Sequence, residues 1–172
     1  MATLVAYASR HASTREIAER IAARLRELGR ETDVMPVDEV RDIDSYEGVV
    51  VGSAIYYGRW LVSAVEFVRR NRAALTGRPV WLFSSGPLGT QPGEEPAQMG
   101  ELREALVARG HRVFSGALDR GRLGIAERLV AGAVRAPYGD FRRWDEIDAW
   151  AETIASQLGD PLPASELEVA RR

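Results

Sequence analysis

Thr3-Leu4-Val5-Ala6-Tyr7-Ala8-Ser9-Arg10-His11-Ala12-Ser13-Thr14 lies close behind the first residue of the chain. Its first half, Thr3 to Ala8, is apolar with little alternation, the pattern of a strand buried on both faces. From Thr14 the pattern changes. Ile17, Ile21, Leu25 and Leu28 recur at spacings of four, four and three, with arginine and glutamate between them and Gly29 as the stop. A buried strand, a short hydroxyl-rich loop and an amphipathic helix therefore follow one another.

The same alternation continues outward. Glu31 to Val37 reads as a second strand, and Gly48 to Ser53, with three valines in a row, as a third buried one. Leu61, Val65, Val68 and Leu75 share one helical face, and Gly77-Arg78-Pro79 ends that helix before the strand Val80 to Phe83. Met99, Leu102 and Leu106 mark a further helix that stops at Gly110, and His111 to Leu118 fits a fifth strand. After a turn at Tyr138-Gly139-Asp140, Ile147, Trp150, Ile154 and Leu158 predict the last helix. Strands alternating with helices imply right-handed crossovers, so the expected fold is α/β, a doubly wound five-stranded parallel sheet with helices on both faces. Residues 1–160 are expected to form one domain and 161–172 a frayed C-terminal tail.

Composition narrows the chemistry. The 172 residues carry 45% apolar side chains, enough for a core, and 23 basic against 25 acidic groups give a net charge of −2. No strong field selects nucleic acid or an anionic membrane. The absence of cysteine removes disulfides, thiol nucleophiles and thiolate metal sites, so redox chemistry needs an organic cofactor. With only His11 and His111 and no HxxxH or HxxE spacing, no metal site is expected. Met1 leads directly into a strand without a basic leader, and no apolar run approaches the length of a membrane span. The expected location is the cytoplasm.

In doubly wound sheets ligands bind beyond the carboxyl ends of the strands. The loop Ser9-Arg10-His11-Ala12-Ser13-Thr14 carries three hydroxyls into a helix N-terminus, where free N–H groups and the helix dipole favour an anion such as phosphate. Arg10 adds positive charge. The loop Gly52-Ser53-Ala54-Ile55-Tyr56-Tyr57-Gly58-Arg59-Trp60 sets three aromatics after a buried strand, flat walls suited to a ring. Ser84-Ser85-Gly86-Pro87 lets backbone approach a ring edge, because glycine puts no side chain in the way.

The pattern Val5-x-Tyr7-x-Ser9-x-x-Ala12-x-Thr14-x-x-x-Ala18-x-x-Ile21 closely resembles the FMN-phosphate signature of the flavodoxin family. Ser9 and Thr14 match its hydroxyl positions. His11 replaces a hydroxyl, Ala6 a bulkier apolar residue, and Ala12 the more usual glycine, a change tolerated if φ stays negative there. Within the family the chain resembles one branch, the menaquinone-dependent protoporphyrinogen oxidases. That likeness is carried by Tyr7 to Ala18, Gly52 to Gly58, Glu66-Phe67-Val68, Ser115-Gly116-Ala117-Leu118, and Asp140 to Ile147 with Trp144.

The resemblance implies a sheet of strand order 2-1-3-4-5 and bound FMN. Its implied site is Ser9, Arg10, His11, Ala12, Ser13 and Thr14 at the phosphate, with Ser53, Ala54, Ile55, Tyr56, Tyr57, Gly58, Ser84, Ser85, Gly86 and Pro87 along the ring. The implied activity is removal of hydrogens from a porphyrinogen, with electrons passed to a quinone. No catalytic acid, base or nucleophile is assigned, because the flavin carries the redox chemistry itself. The branch has a further segment after the fifth strand that meets membrane or substrate, and Asp119 to Tyr138 stands there. Ile125, Leu129, Val130, Ala133 and Val134 form one face among Arg120, Arg122, Arg128 and Arg135, so any membrane contact is peripheral. The alternatives are an FMN electron carrier with a redox-protein partner and a scaffold that has lost FMN. Carriers usually show an acidic rim, whereas Arg10, Arg15 and Arg59 surround these loops.

Overall fold

The computed structural model describes residues 1–86, 95–118 and 139–159. Pro87, the segment 119–138 and the tail 161–172 lie outside the described residues.

Strand β1 (Ala2–Ala8) lies inside a parallel sheet, with a neighbour on each side, because both of its faces are apolar. It pairs with β2 (Thr32–Pro36) on one side and β3 (Tyr46–Tyr56) on the other, so Val5 lies between Val34 and Val50. β3 pairs in turn with β5 (Val80–Ser85), and β5 with β6 (Gly110–Phe114). The path β2-β1-β3-β5-β6 is the predicted 2-1-3-4-5 order, and the short strand β4 (Arg59–Trp60) adds an antiparallel hairpin to β3.

Alternation along the strands divides the core in two. Leu4, Ala6, Val49, Val51 and Leu82 face helices α2 (Val62–Arg70), α3 (Arg72–Thr76) and α4 (Met99–Leu106). Val5, Val50, Trp81 and Phe83 face α1 (Ser13–Glu27) and α5 (Trp144–Gln157), which contribute Ile17, Ile21, Trp150 and Ile154. Each such large apolar side chain stabilises the fold by about 1.5–3 kcal/mol. Phe83, Phe114 and Trp150 meet edge to face or tilted, with ring centroids 5.5 to 6.2 Å apart. Arg20 clasps Asp148 at 2.6 and 2.5 Å, and Arg24 reaches Glu152 at 2.6 Å, fixing α5 beside α1.

β3 runs beyond the expected Gly48 to Ser53 at both ends, α4 ends at Leu106 short of Gly110, and two further elements differ from expectation. The helix over Leu61 to Leu75 is interrupted at Asn71, whose Nδ2 donates to the Phe67 carbonyl at 2.9 Å and whose backbone leaves helical geometry (φ −104°). The fifth strand ends at Phe114 instead of Leu118. Its neighbour β5 turns away at Gly86, whose N–H donates to the Phe114 carbonyl at 2.9 Å and closes the parallel ladder. The chain then continues as β7 (Ala117–Leu118), antiparallel to β8 (Gly139–Asp140).

Candidate cofactor site

β1, β3 and β5 deliver their following loops to one end of the sheet. The first loop turns sharply into α1. Ala12 occupies the N-cap with φ 64° and ψ −23°, and no side chain caps the helix. This corrects the expectation of negative φ at Ala12: the passage from strand to helix needs a left-handed residue, which costs an alanine about 1–2 kcal/mol. The Ser13 N–H donates to the His11 carbonyl and the Glu16 N–H to the Ala12 carbonyl, both at 2.8 Å. Thr14 is buried, Ser9 is half-buried and Arg10 exposed.

A cleft of about 380 Å³ opens here, lined by Arg10, His11, Ala12, Arg15 and Glu16. The Arg10 guanidinium lies 5.2 Å from the centre of the Tyr56 ring, and the His11 ring lies 6.3 Å from it at 42°. The first and third loops therefore meet. Gly86 (φ 107°) packs beside Ile55: a Cβ on it would lie 3.8 Å from the Ile55 Cβ, an ordinary contact. A Cβ on Gly116 would meet Gly86 N at 3.5 Å and Ser13 Oγ at 3.6 Å. All of the described loop ends thus converge on one rim.

The third loop is a tight hairpin. β3 runs on to Tyr56, and Tyr57 (φ 49°) and Gly58 (φ 70°) form a two-residue turn into β4, both in the left-handed conformation that matches the twist of a hairpin. Tyr57 is 86% exposed. Trp60 is buried, and its Nε1–H donates to Ser84 Oγ at 2.8 Å, so it belongs to the core and not to the expected aromatic wall. Ser53 and Ser84 point inward. Ser53 Oγ accepts the Leu61 N–H at 3.0 Å and donates to the Ala54 carbonyl at 2.9 Å. Ser85 is buried and Ala54 half-buried.

Sequence reasoning missed Arg142. It is clasped by Asp140 at 2.6 and 2.8 Å, also bonds Glu16, and lies 4.6 Å over the Trp144 ring. Its charge holds the Asp140 carboxyl below the usual range through that hydrogen-bonded pair. The same guanidinium is ion-paired with Glu16, the acidic group among the described residues that line the cleft. The stretch Asp140 to Ile147, quoted for the resemblance, pointed towards this corner without giving Arg142 a role. No group of metal-ligating side chains occurs among the described residues, and no helix among them is long and apolar enough to cross a membrane.

The family model for the flavodoxin domain matches residues 4–142. The chain belongs to the flavodoxin family. Protoporphyrinogen IX dehydrogenase [quinone] of Escherichia coli strain K12 is 26% identical over 94% of this chain and 98% of its own. An archaeal flavodoxin superposes with a TM-score of 0.66 at 17% identity, covering 92% of this chain and 99% of that one. Oxidised flavodoxin 1 of Bacillus cereus superposes with a TM-score of 0.63 at 16% identity, covering 92% and 100%.

Flavodoxins hold FMN, and this flavodoxin is an FMN-binding protein with a redox role. Its donor set fits the phosphate group. The α1 N-terminus has no side-chain cap. Ser13 Oγ accepts the Ala117 N–H at 3.0 Å and so keeps its own hydrogen to donate, while Glu16 is ion-paired with Arg142.

Proposed function

We propose that this protein is an FMN-dependent oxidoreductase of the protoporphyrinogen dehydrogenase type, taking hydrogens from a porphyrinogen and passing electrons to a quinone. The observation that carries this reading is the likeness to the E. coli dehydrogenase, which runs over 94% of this chain and 98% of that one. The basic residues Arg10, Arg15 and Arg59 around the site agree with it, since an acidic rim would suit a carrier docking on basic redox proteins.

The FMN site in this reading has Ser9, Arg10, His11, Ala12, Ser13 and Thr14 around the phosphate. Ser53 to Gly58 and Ser84 to Pro87 border the ring. Backbone and hydroxyl donors hold the anion, the Tyr56 ring supplies a flat wall, and Gly86 keeps the rim free of a side chain. Ser53 and Ser84 serve indirectly, as buried braces behind those loops. FMN, when bound, supplies the oxidising power. The protein works in the cytoplasm, with at most a peripheral approach to the membrane that holds the quinone.

The test is anaerobic incubation of the FMN-loaded protein with protoporphyrinogen and a menaquinone analogue, read by porphyrin fluorescence. Quinone-dependent porphyrin formation is expected. Its absence, with FMN bound, would replace this reading by the second one, an FMN electron carrier serving a redox protein. The end-to-end superposition on solved flavodoxins favours that alternative.

A further inference from the structure

A buried hydrogen-bonded chain runs behind the cofactor loops, and the proposed activity makes no direct use of it. Trp60 Nε1 donates to Ser84 Oγ at 2.8 Å, Ser84 Oγ lies 2.9 Å from His111 Nε2, and His111 Nδ1 lies 3.0 Å from Glu95 Oε1. The His111 side chain is 1% exposed, Ser84 is fully buried and Trp60 is 3% exposed. The chain thus ties the hairpin after β3 to the end of β5, to β6, and to the residues entering α4. Two more bonds close the circuit: the Ala97 N–H donates to the Gly58 carbonyl at 3.2 Å, and the Trp60 N–H to Gln98 Oε1 at 3.3 Å.

Hydrogen-bond roles along the chain are dictated by chemistry. An indole nitrogen only donates, so Trp60 occupies a lone pair of Ser84 Oγ. The Ser84 hydroxyl hydrogen is then available for His111 Nε2, which accepts it when the imidazole is neutral and its other nitrogen carries the proton. In the neutral imidazole, the form that burial favours, the proton sits on Nδ1 and is directed at the Glu95 carboxylate. A second proton, on Nε2, would reverse the bond to Ser84 and force the hydroxyl hydrogen to find another acceptor in a buried place. The charged groups that face the imidazole are Glu95 and Arg103, 3.5 Å from each other. Burial pushes His111 below its ordinary value, Arg103 adds to that, and Glu95 opposes it.

We infer that His111 is a positioning residue for the cofactor loops. As a neutral imidazole it locks Trp60 through Ser84, and its protonation loosens the hairpin that borders the flavin. This rests on the reading that Ile55 to Tyr57 and Gly86 border that ring.

The experiment is a nitrogen-15 NMR titration of the FMN-loaded protein from about pH 7.5 to about pH 5, with FMN dissociation constants measured over the same range. The Trp60 indole N–H resonance is expected to move in one step with a midpoint below the ordinary histidine value. FMN affinity should fall about fivefold in that same step. Glu95→Gln, at a half-exposed side chain, should move the midpoint to lower pH. His111→Gln, which can bond Ser84 without titrating, should abolish the step in both readouts, whatever its absolute affinity. A Trp60 resonance that does not titrate, or a midpoint indifferent to Glu95→Gln, overturns the inference. So does an affinity that stays flat through the Trp60 step. The underlying reading has its own readout: FMN addition should shift the Tyr56 and Gly86 amide resonances. Unmoved amides sink the loop assignment and the His111 role with it, whereas shifted amides with a flat affinity sink the His111 role alone.

Discussion

The loop over Ser9 to Thr14 and the hairpin over Ser53 to Trp60 border the same rim but are built in opposite ways. In the hairpin the polar side chains turn inward: Ser53 makes two hydrogen bonds, and Trp60 is anchored by its indole to Ser84 and by its backbone to Gln98. The first loop leaves its helix without a side-chain cap and keeps Ala12 in a left-handed conformation. One region is braced before any ligand arrives. The other holds strain and donor capacity that an anion can use.

That contrast predicts where mutations act. The largest effect belongs to Gly52→Ala, next to the hairpin, because the added Cβ would lie 2.0 Å from Phe83 Cζ in the middle of the sheet. A loss of about 3 kcal/mol is expected, read as a collapse of the denaturant midpoint. Ser53→Ala removes the acceptor of the Leu61 N–H and should cost about 2 kcal/mol in the same assay, with FMN affinity changing less than stability. Thr14→Val should reverse that ranking, weakening FMN by about 1.5 kcal/mol in a fluorescence titration while the apoprotein midpoint stays close to wild type. If Ser53→Ala and Thr14→Val fell on the same side, the contrast between braced and open loops would be gone. Ala12→Gly should stabilise the apoprotein by about 1 kcal/mol by relieving the left-handed alanine, measured by thermal unfolding.

The smallest effect concerns pH. Arg142 and Arg20 hold Asp140 and Asp148 below the usual carboxylate range through their hydrogen bonds. Their contribution is complete above the unfolded value and is lost as pH falls through the folded values. Because these side chains are 48% and 25% exposed, solvent screens the pairs and the loss is modest. Asp148→Asn should flatten the acid limb of a stability–pH curve slightly, and an unchanged limb would show that the Arg20 pair contributes nothing.

How legible these regions were depends on whether the deciding interaction is local. β1 and α1 could be read because Ile17, Ile21 and Leu25 repeat on one face and Gly29 stops the helix at φ 80°. The strand path was legible for the same reason, since buried parallel strands are nearly continuous apolar runs. The end of β6 was not, because it is set by β5 turning away at Gly86 and not by anything within Ser115 to Leu118. Nothing about an alanine itself announces positive φ, so the signal for the conformation of Ala12 was the glycine that the family usually places there. The place of Trp60 depended on a partner at Ser84, and that of Arg142 on Glu16, far along the chain in both cases. Side chains that brace the site from a distance leave no periodic trace.

The antiparallel pair of β7 with β8 has one more implication. Leu118 pairs with Gly139 and Ala117 with Asp140 in a two-stranded sheet of their own, so the chain leaves for residue 119 and comes back at residue 139 through adjoining doorposts. Main-chain pairing thereby fixes residues 118 and 139 to each other. For two ends held side by side in this way, the entropy of closing the chain between them grows only logarithmically with its length.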